Sequence, residues 1–133
     1  MANSVGFNGC NSLIKSVFDN SVSAKEKRTN IRYYPEQSKD TVDIDMTYGS
    51  TGDTVIHSAH FSRRGGYCYA SATAMITEPG NCAGLLSQDK YFKYVGDSAG
   101  VLWSKNKGGT SKLFTQTGNY CTQIFVTDTK VKI

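Results

Sequence analysis

The sequence predicts an α+β fold: one N-terminal helix packed on a twisted, antiparallel and mostly β meander of seven or eight strands, held by two disulfides. Three observations carry this expectation. Apolar residues follow a helical period only near the N-terminus. From Ile31 onward the pattern switches to alternation, punctuated by Gly-rich turns. Four widely spaced cysteines, Cys10, Cys68, Cys82 and Cys121, make an even set without C-x-x-C or zinc-finger histidine spacing.

The helix is expected over about 8–20. Cys10, Leu13, Ile14, Val17 and Phe18 fall on one stripe, with Asn11, Lys15 and Asp19 outside it. Asn8 is placed to cap its start and Asn20 to end it. Residues 21–30 are polar and charged, and read as a weak extension or a loop. The β region is expected over about 31–128. Val42, Ile44, Met46 and Tyr48 alternate with Thr41, Asp43, Asp45 and Thr47, giving one buried and one wet face. Val55–Phe61 and Tyr67–Ile76 flank Arg63-Arg64-Gly65-Gly66, a hairpin signature. Further strands are expected at Tyr91–Val95, Val101–Trp103, Lys112–Thr115 and Tyr120–Thr127. No linker, repeat or low-complexity segment is read, so residues 1–133 are taken as one domain.

The strand from Tyr67 has a small face of Cys68, Ala70, Ala72, Ala74 and Ile76. Three alanines leave room for a bulky neighbour, and the Leu13/Val17/Phe18 stripe is expected to fill it. Four cysteines allow three pairings, which the sequence alone leaves open. The packing argument favours Cys10–Cys68, which leaves Cys82–Cys121.

Composition narrows the function classes. With 38% hydrophobic and 20% charged residues the chain is too apolar for disorder. It has no apolar run long enough to span a membrane. Fifteen Lys and Arg against eleven Asp and Glu give a net charge of +4. The cations are dispersed among acids, as in Lys25-Glu26-Lys27-Arg28, which argues against a nucleic-acid partner. The start Met1-Ala2-Asn3-Ser4 carries no signal-peptide pattern. With two disulfides it reads as a mature periplasmic or secreted chain whose signal peptide is absent.

Catalytic chemistry finds little support. His57 and His60 are three apart in a strand and should face opposite sides, so a ribonuclease built on them with Lys105 lacks a spacing argument. G-x-S-x-G is absent, and paired cysteines offer no nucleophile. Gly109-Thr110-Ser111-Lys112 lacks the full phosphate-loop spacing. Asp43 and Asp45 lack a calcium-loop arrangement. No metal or cofactor is expected, and the chain is read as a binding protein.

Two surfaces are candidates. The first is the cationic loop Ser104-Lys105-Asn106-Lys107-Gly108-Gly109-Thr110-Ser111-Lys112, which follows Trp103. On a rigid sheet it is suited to entering a partner's cleft, its lysines meeting carboxylates. The second is the pair Tyr67 and Tyr69, opposite the alanine face, because tyrosine is favoured at interfaces and can stack on sugars.

The segment Ser98-Ala99-Gly100-Val101-Leu102-Trp103-Ser104-Lys105, followed by Leu113 and Cys121, resembles the C-terminal part of c-type lysozyme inhibitors. There a Ser-Ala/Ser-Gly turn, an aromatic-x-Lys-Gly loop and a late cysteine recur. Lys107-Gly108 is shifted relative to Trp103, and an N-terminal helix departs from that all-β pattern. In size, cysteine content and compartment the chain resembles small periplasmic inhibitors and immunity proteins of bacteria. The resemblance implies inhibition of a protein partner, a toxin or cell-wall hydrolase, with Ser98 and Lys105 to Lys107 in the contact. A carbohydrate- or surface-binding module is the alternative, and a small secreted hydrolase or ribonuclease the third reading. A homodimer is left open.

Overall fold

A computed structural model describes residues 1–133. It is mostly β, which corrects the α+β expectation. Eight strands form one antiparallel sheet: β1 (Glu26–Arg32), β2 (Thr41–Ser50), β3 (Asp53–Arg64), β4 (Tyr67–Pro79), β5 (Lys93–Ser98), β6 (Val101–Lys105), β7 (Ser111–Thr117) and β8 (Tyr120–Lys132). Two seven-residue helices, α1 (Asn11–Val17) and α2 (Cys82–Gln88), accompany them. No helix is long and apolar enough to cross a membrane.

The expected helix over 8–20 is reduced to α1. Asn8 does not cap it: the chain turns at Gly9, and Cys10 at the N-cap makes no side-chain cap bond. Asn20 lies in a separate 3₁₀ turn. Of the buried residues in this segment, Ala2, Phe7, Cys10, Phe18 and Ser21 all lie outside α1, and Leu13 alone lies within it. A helix stripe packed on the sheet is therefore not what covers it. The cover is an irregular strap of residues 1–21 whose aromatic anchors, Phe7 and Phe18, flank the helix. The three-and-four spacing of its apolar residues is met by turns on either side of α1 as well as by a helix, which is why periodicity alone overextended it.

The sheet is also not a single meander. Its strand order is β1-β2-β3-β4-β8-β7-β6-β5, so two four-stranded meanders meet at β4 and β8. These two are the longest strands, thirteen residues each, and they pair over their whole length from Tyr67–Lys132 to Pro79–Tyr120. Every strand contributes backbone ladder bonds that its partner completes, which leaves β1 and β5 as the edges. Lysine and arginine on β1 suit an edge, and its first five residues lie in the 21–30 segment expected to be loop or helix.

The two halves repeat one another. Phe61-Ser-Arg-Arg-Gly-Gly-Tyr-Cys68 and Phe114-Thr-Gln-Thr-Gly-Asn-Tyr-Cys121 share F-[ST]-x-x-G-x-Y-C, and Cys10-Asn-Ser-Leu-Ile14 and Cys82-Ala-Gly-Leu-Leu86 share C-x-x-L-[IL]. Each half begins with the helical motif and ends on a long strand whose second residue is the disulfide partner. The register places a pseudo-twofold axis through the Thr73–Val126 pair, perpendicular to the sheet, which carries Tyr67 onto Tyr120 and Pro79 onto Lys132. Polar pinning follows the same axis. Arg63 Nη1 donates to the Asn8 carbonyl at 2.9 Å, and its mate Gln116 donates Nε2 to the Gly80 carbonyl at 2.9 Å. Both acceptors lie two residues before a disulfide cysteine. This internal duplication overturns the expectation of a repeat-free chain.

The disulfides are Cys10–Cys68 and Cys82–Cys121. Both lie on the covered face of the sheet, one over each half. Val42, Ile44, Ala59, Phe61, Ala70 and Ala72 pack with the strap in a twelve-residue core. Phe114 packs with Leu86 and the second disulfide in a core of four. The β3–β4 turn is two glycines, Gly65 and Gly66, at φ 61° and 81°, a left-handed pair that a tight twisted hairpin requires. The opposite face of the sheet is open.

A candidate anion-binding groove

The smaller half builds a concavity whose charged lining is all cationic. Asn81 caps α2 by accepting the Gly84 N–H at 3.0 Å, and the helix runs directly into Asp89. Asp89 Oδ1 accepts the N–H groups of Tyr91 and Phe92, at 2.9 and 3.1 Å. Its Oδ2 accepts from Lys112 Nζ at 3.0 Å. Burial alone would raise the Asp89 carboxyl, but these hydrogen bonds outweigh it and hold it below the ordinary value. The Lys112 ammonium is itself caged, lying 4.9–5.3 Å from the ring centres of Phe92, Phe114 and Phe125.

This buried pair fixes the turn that follows α2. Phe92 is directed inward against the small core, and Tyr91 is thrown outward, 76% exposed. Across from it stands the β6–β7 hairpin. Asn106 closes that hairpin by donating its N–H to the Thr110 carbonyl at 3.1 Å and accepting the Thr110 N–H at 2.9 Å. Between the two walls runs a groove of about 880 Å³ lined by Lys90, Tyr91, Phe92, Lys93, Lys105, Asn106, Lys107 and Gly108. Four lysines line it and no carboxylate does. Its lining is wholly cationic among the charged groups, with one exposed aromatic at its wall.

The predicted site residues are divided by the fold. Lys105, Asn106, Lys107 and Gly108 come together on one wall of this groove. Ser104 does not join them: it is fully buried, and its hydroxyl donates to the Lys112 carbonyl at 2.7 Å, so it supports the hairpin and cannot touch a partner. Lys112, at the end of the expected cationic loop, is likewise buried. Ser98 sits at the β5–β6 turn, the other end of β6 from Lys105. Trp103 lies on the open face, 43% exposed, beside Leu113. Tyr67 and Tyr69 are on that open face too, on β4, three strands from Trp103.

Sequence reasoning missed Lys90 and Lys93, and singled out Tyr91 only as one of an excess of tyrosines. Their signal was an Asn-capped helical motif ending in Asp89, followed by a tyrosine between lysines. Residues 91–95 were read instead as a strand, which begins only at Lys93.

The histidines stand apart. His57 lies on the covered face with its ring centre 4.7 Å from that of Phe18, its Nδ1 buried without a partner, and burial lowers its pKa. His60 lies on the open face with Nδ1 2.8 Å from Asp43 Oδ1. Asp45 accepts from Arg32 at 2.6 Å and from Ser58 at 2.9 Å. No group of three or more His, Cys, Asp or Glu side chains is arranged to hold a metal ion.

Comparison with protein-family models, with curated proteins and with solved structures finds no match to this chain.

Proposed function

We propose that the protein is an extracytoplasmic binding protein that inhibits a partner enzyme or toxin, with the lysine groove and its 105–108 wall seated on an acidic active-site cleft. The observation that carries this reading is the convergence of four lysines around a rigid groove without a carboxylate. Its walls are set by the buried Asp89–Lys112 pair and by Asn106, so little ordering entropy remains to be lost on binding. Glycan-cleaving wall hydrolases work through paired carboxylates, a charge pattern that this groove complements. Two disulfides agree with a periplasmic or secreted location.

The test is inhibition of a c-type lysozyme and of a panel of peptidoglycan hydrolases by the oxidised protein. Lys105→Glu with Lys107→Glu is expected to weaken inhibition by at least about tenfold, roughly 1.4 kcal/mol, with a steep salt dependence. Lys90→Glu with Lys93→Glu should act alike from the opposite wall. Inhibition that survives both double reversals would remove the groove from the mechanism, and no inhibition across the panel would remove the reading.

A further inference from the structure

The pseudo-twofold axis supplies an internal comparison, because it shows what the equivalent sheet position carries in the other half. On the open face, Arg64, Tyr67 and Lys132 stand in one row across β3, β4 and β8, and Ser62, Tyr69 and Lys130 in the next. The Lys130 ammonium is 4.2 Å from the Tyr67 ring centre and 5.7 Å from that of Tyr69. The two rings are 6.4 Å apart and tilted by 47°. The axis carries these rows onto Thr117–Tyr120–Pro79 and Thr115–Thr122–Thr77. Three cations and one of the two tyrosines are therefore absent from the mates, and the sheet forms without them.

The following row sharpens the contrast. Asp43, His60, Ser71 and Asp128 stand abreast, with His60 Nδ1 on Asp43 Oδ1 and the Ser71 hydroxyl donating to Asp128 Oδ1 at 2.7 Å. Their mates are Trp103, Leu113, Ile124 and Met75. Across the three rows, cations and charged hydrogen-bonding groups stand where the mates carry threonines and a proline in the first two rows and apolar side chains in the third.

We propose that Arg64, Tyr67, Tyr69, Lys130 and Lys132 form a binding site for an acidic glycan, a polymer of carboxylate-bearing sugars. The exposed Tyr69 ring offers an apolar face to sugar C–H groups, beside the half-buried Tyr67 that holds Lys130 over its ring. The three cations answer the sugar carboxylates, and Arg64 can do so with two parallel hydrogen bonds. The neighbouring row decides between polyanions. Asp43 and Asp128 each keep one oxygen outside these bonds, an acceptor for the hydroxyl donors that a sugar polymer carries and a DNA backbone lacks. The site is distinct from the lysine groove, sharing no residue with it, and stands or falls independently.

The experiment is titration of the oxidised protein with polygalacturonate, neutral dextran and a single-stranded oligothymidylate, read by calorimetry and affinity electrophoresis. Polygalacturonate should bind in a salt-dependent manner, at least about tenfold more tightly than either other probe. Tyr69→Ala and Lys130→Glu should each cost at least about tenfold. Tyr120→Ala, at the mate position, should change nothing. Absence of polygalacturonate binding, dextran or oligothymidylate binding of equal strength, or an equal loss in Tyr120→Ala would each overturn the proposal. Should Tyr69→Ala lose its folded circular dichroism, Lys130→Glu, at an exposed position, decides alone.

Discussion

The two halves share a strand plan, a disulfide position and a buried phenylalanine, yet they solve the problem of a one-sided sheet differently. In the first half the strap lays Phe7, Leu13 and Phe18 over Phe61 and the alanine face, and twelve residues are buried together. In the second half α2 has no comparable strap before it, and the core is four residues. There the gap beneath the phenylalanines is filled by a lysine and its aspartate. A core filled by side chains from a pinned strap gains stability from apolar area. One filled by an ion pair gains little net stability but fixes a geometry. The groove is built on the second kind of core, and the loop that forms its wall is positioned by that pair.

The largest expected effect tests this difference directly. Phe61 and Phe114 are mates and both fully buried. Truncating either to alanine should cost about 3–5 kcal/mol. Phe61→Ala is expected near the top of that range, because the strap is pinned by Cys10–Cys68 and cannot collapse into the space. Phe114→Ala should fall near the bottom, because α2 is short and can settle. Chemical denaturation of the two variants measures both, and equal losses would mean that the two cores are equally rigid.

Much of the scaffold was legible before the structure, and the reasons for the rest are local. The alternation in β2 and the hairpin at Gly65-Gly66 were readable because one face is buried and the turn needs left-handed residues. The disulfide pairing was left open among three, and the preference for Cys10–Cys68 rested on a helix packing that the structure replaces with the strap, although that pair forms. Strand β1 was not readable because an edge strand exposed on most of its length carries a single apolar residue, Ile31, too few to mark a face. Nor was the strand order: no local pattern tells β4 to pair with β8 instead of β5. The duplication was present in F-[ST]-x-x-G-x-Y-C, but it is short and the intervening hairpins differ in length. Of the candidate site, the hairpin lysines were legible and their counterparts Lys90 and Lys93 were not, since only the Asp89–Lys112 pair brings that turn alongside.

A middle-sized effect separates the geometric role of the ion pair from its contribution to stability. Asp89→Asn keeps an acceptor for the Tyr91 and Phe92 N–H groups but leaves the Lys112 ammonium caged without a counter-charge. It should cost about 2–3 kcal/mol, within the range for uncovering a buried charge. Lys112→Met keeps an unbranched chain against the three rings and leaves Asp89 with the Tyr91 and Phe92 N–H bonds, so its cost should be smaller, about 1–2 kcal/mol. Thermal unfolding of the two variants sets the order. A costlier Lys112→Met would show the cation–ring contacts to outweigh the desolvation they accompany.

The smallest effect distinguishes the halves by pH. Burial lowers the pKa of His57 in the first half below its ordinary 6.5, and Phe18 packs against its ring. Below about 6.5 the unfolded chain takes up a proton that the folded chain resists, so stability falls as the pH drops from there towards the lowered folded value. The second half holds no such group; its Asp89 is depressed below 3.8 by its hydrogen bonds. Stability from Asp89 is fully present above 3.8 and is lost only as the pH falls through its lower folded value. Mild acid should therefore loosen the strap first. Amide exchange at pH 5.5 is expected to quicken in residues 11–21 and β3 relative to α2 and β7, after correction for intrinsic rates. His57→Phe should abolish that difference without altering the later acid loss. Equal quickening in both halves would place the sensitive group elsewhere.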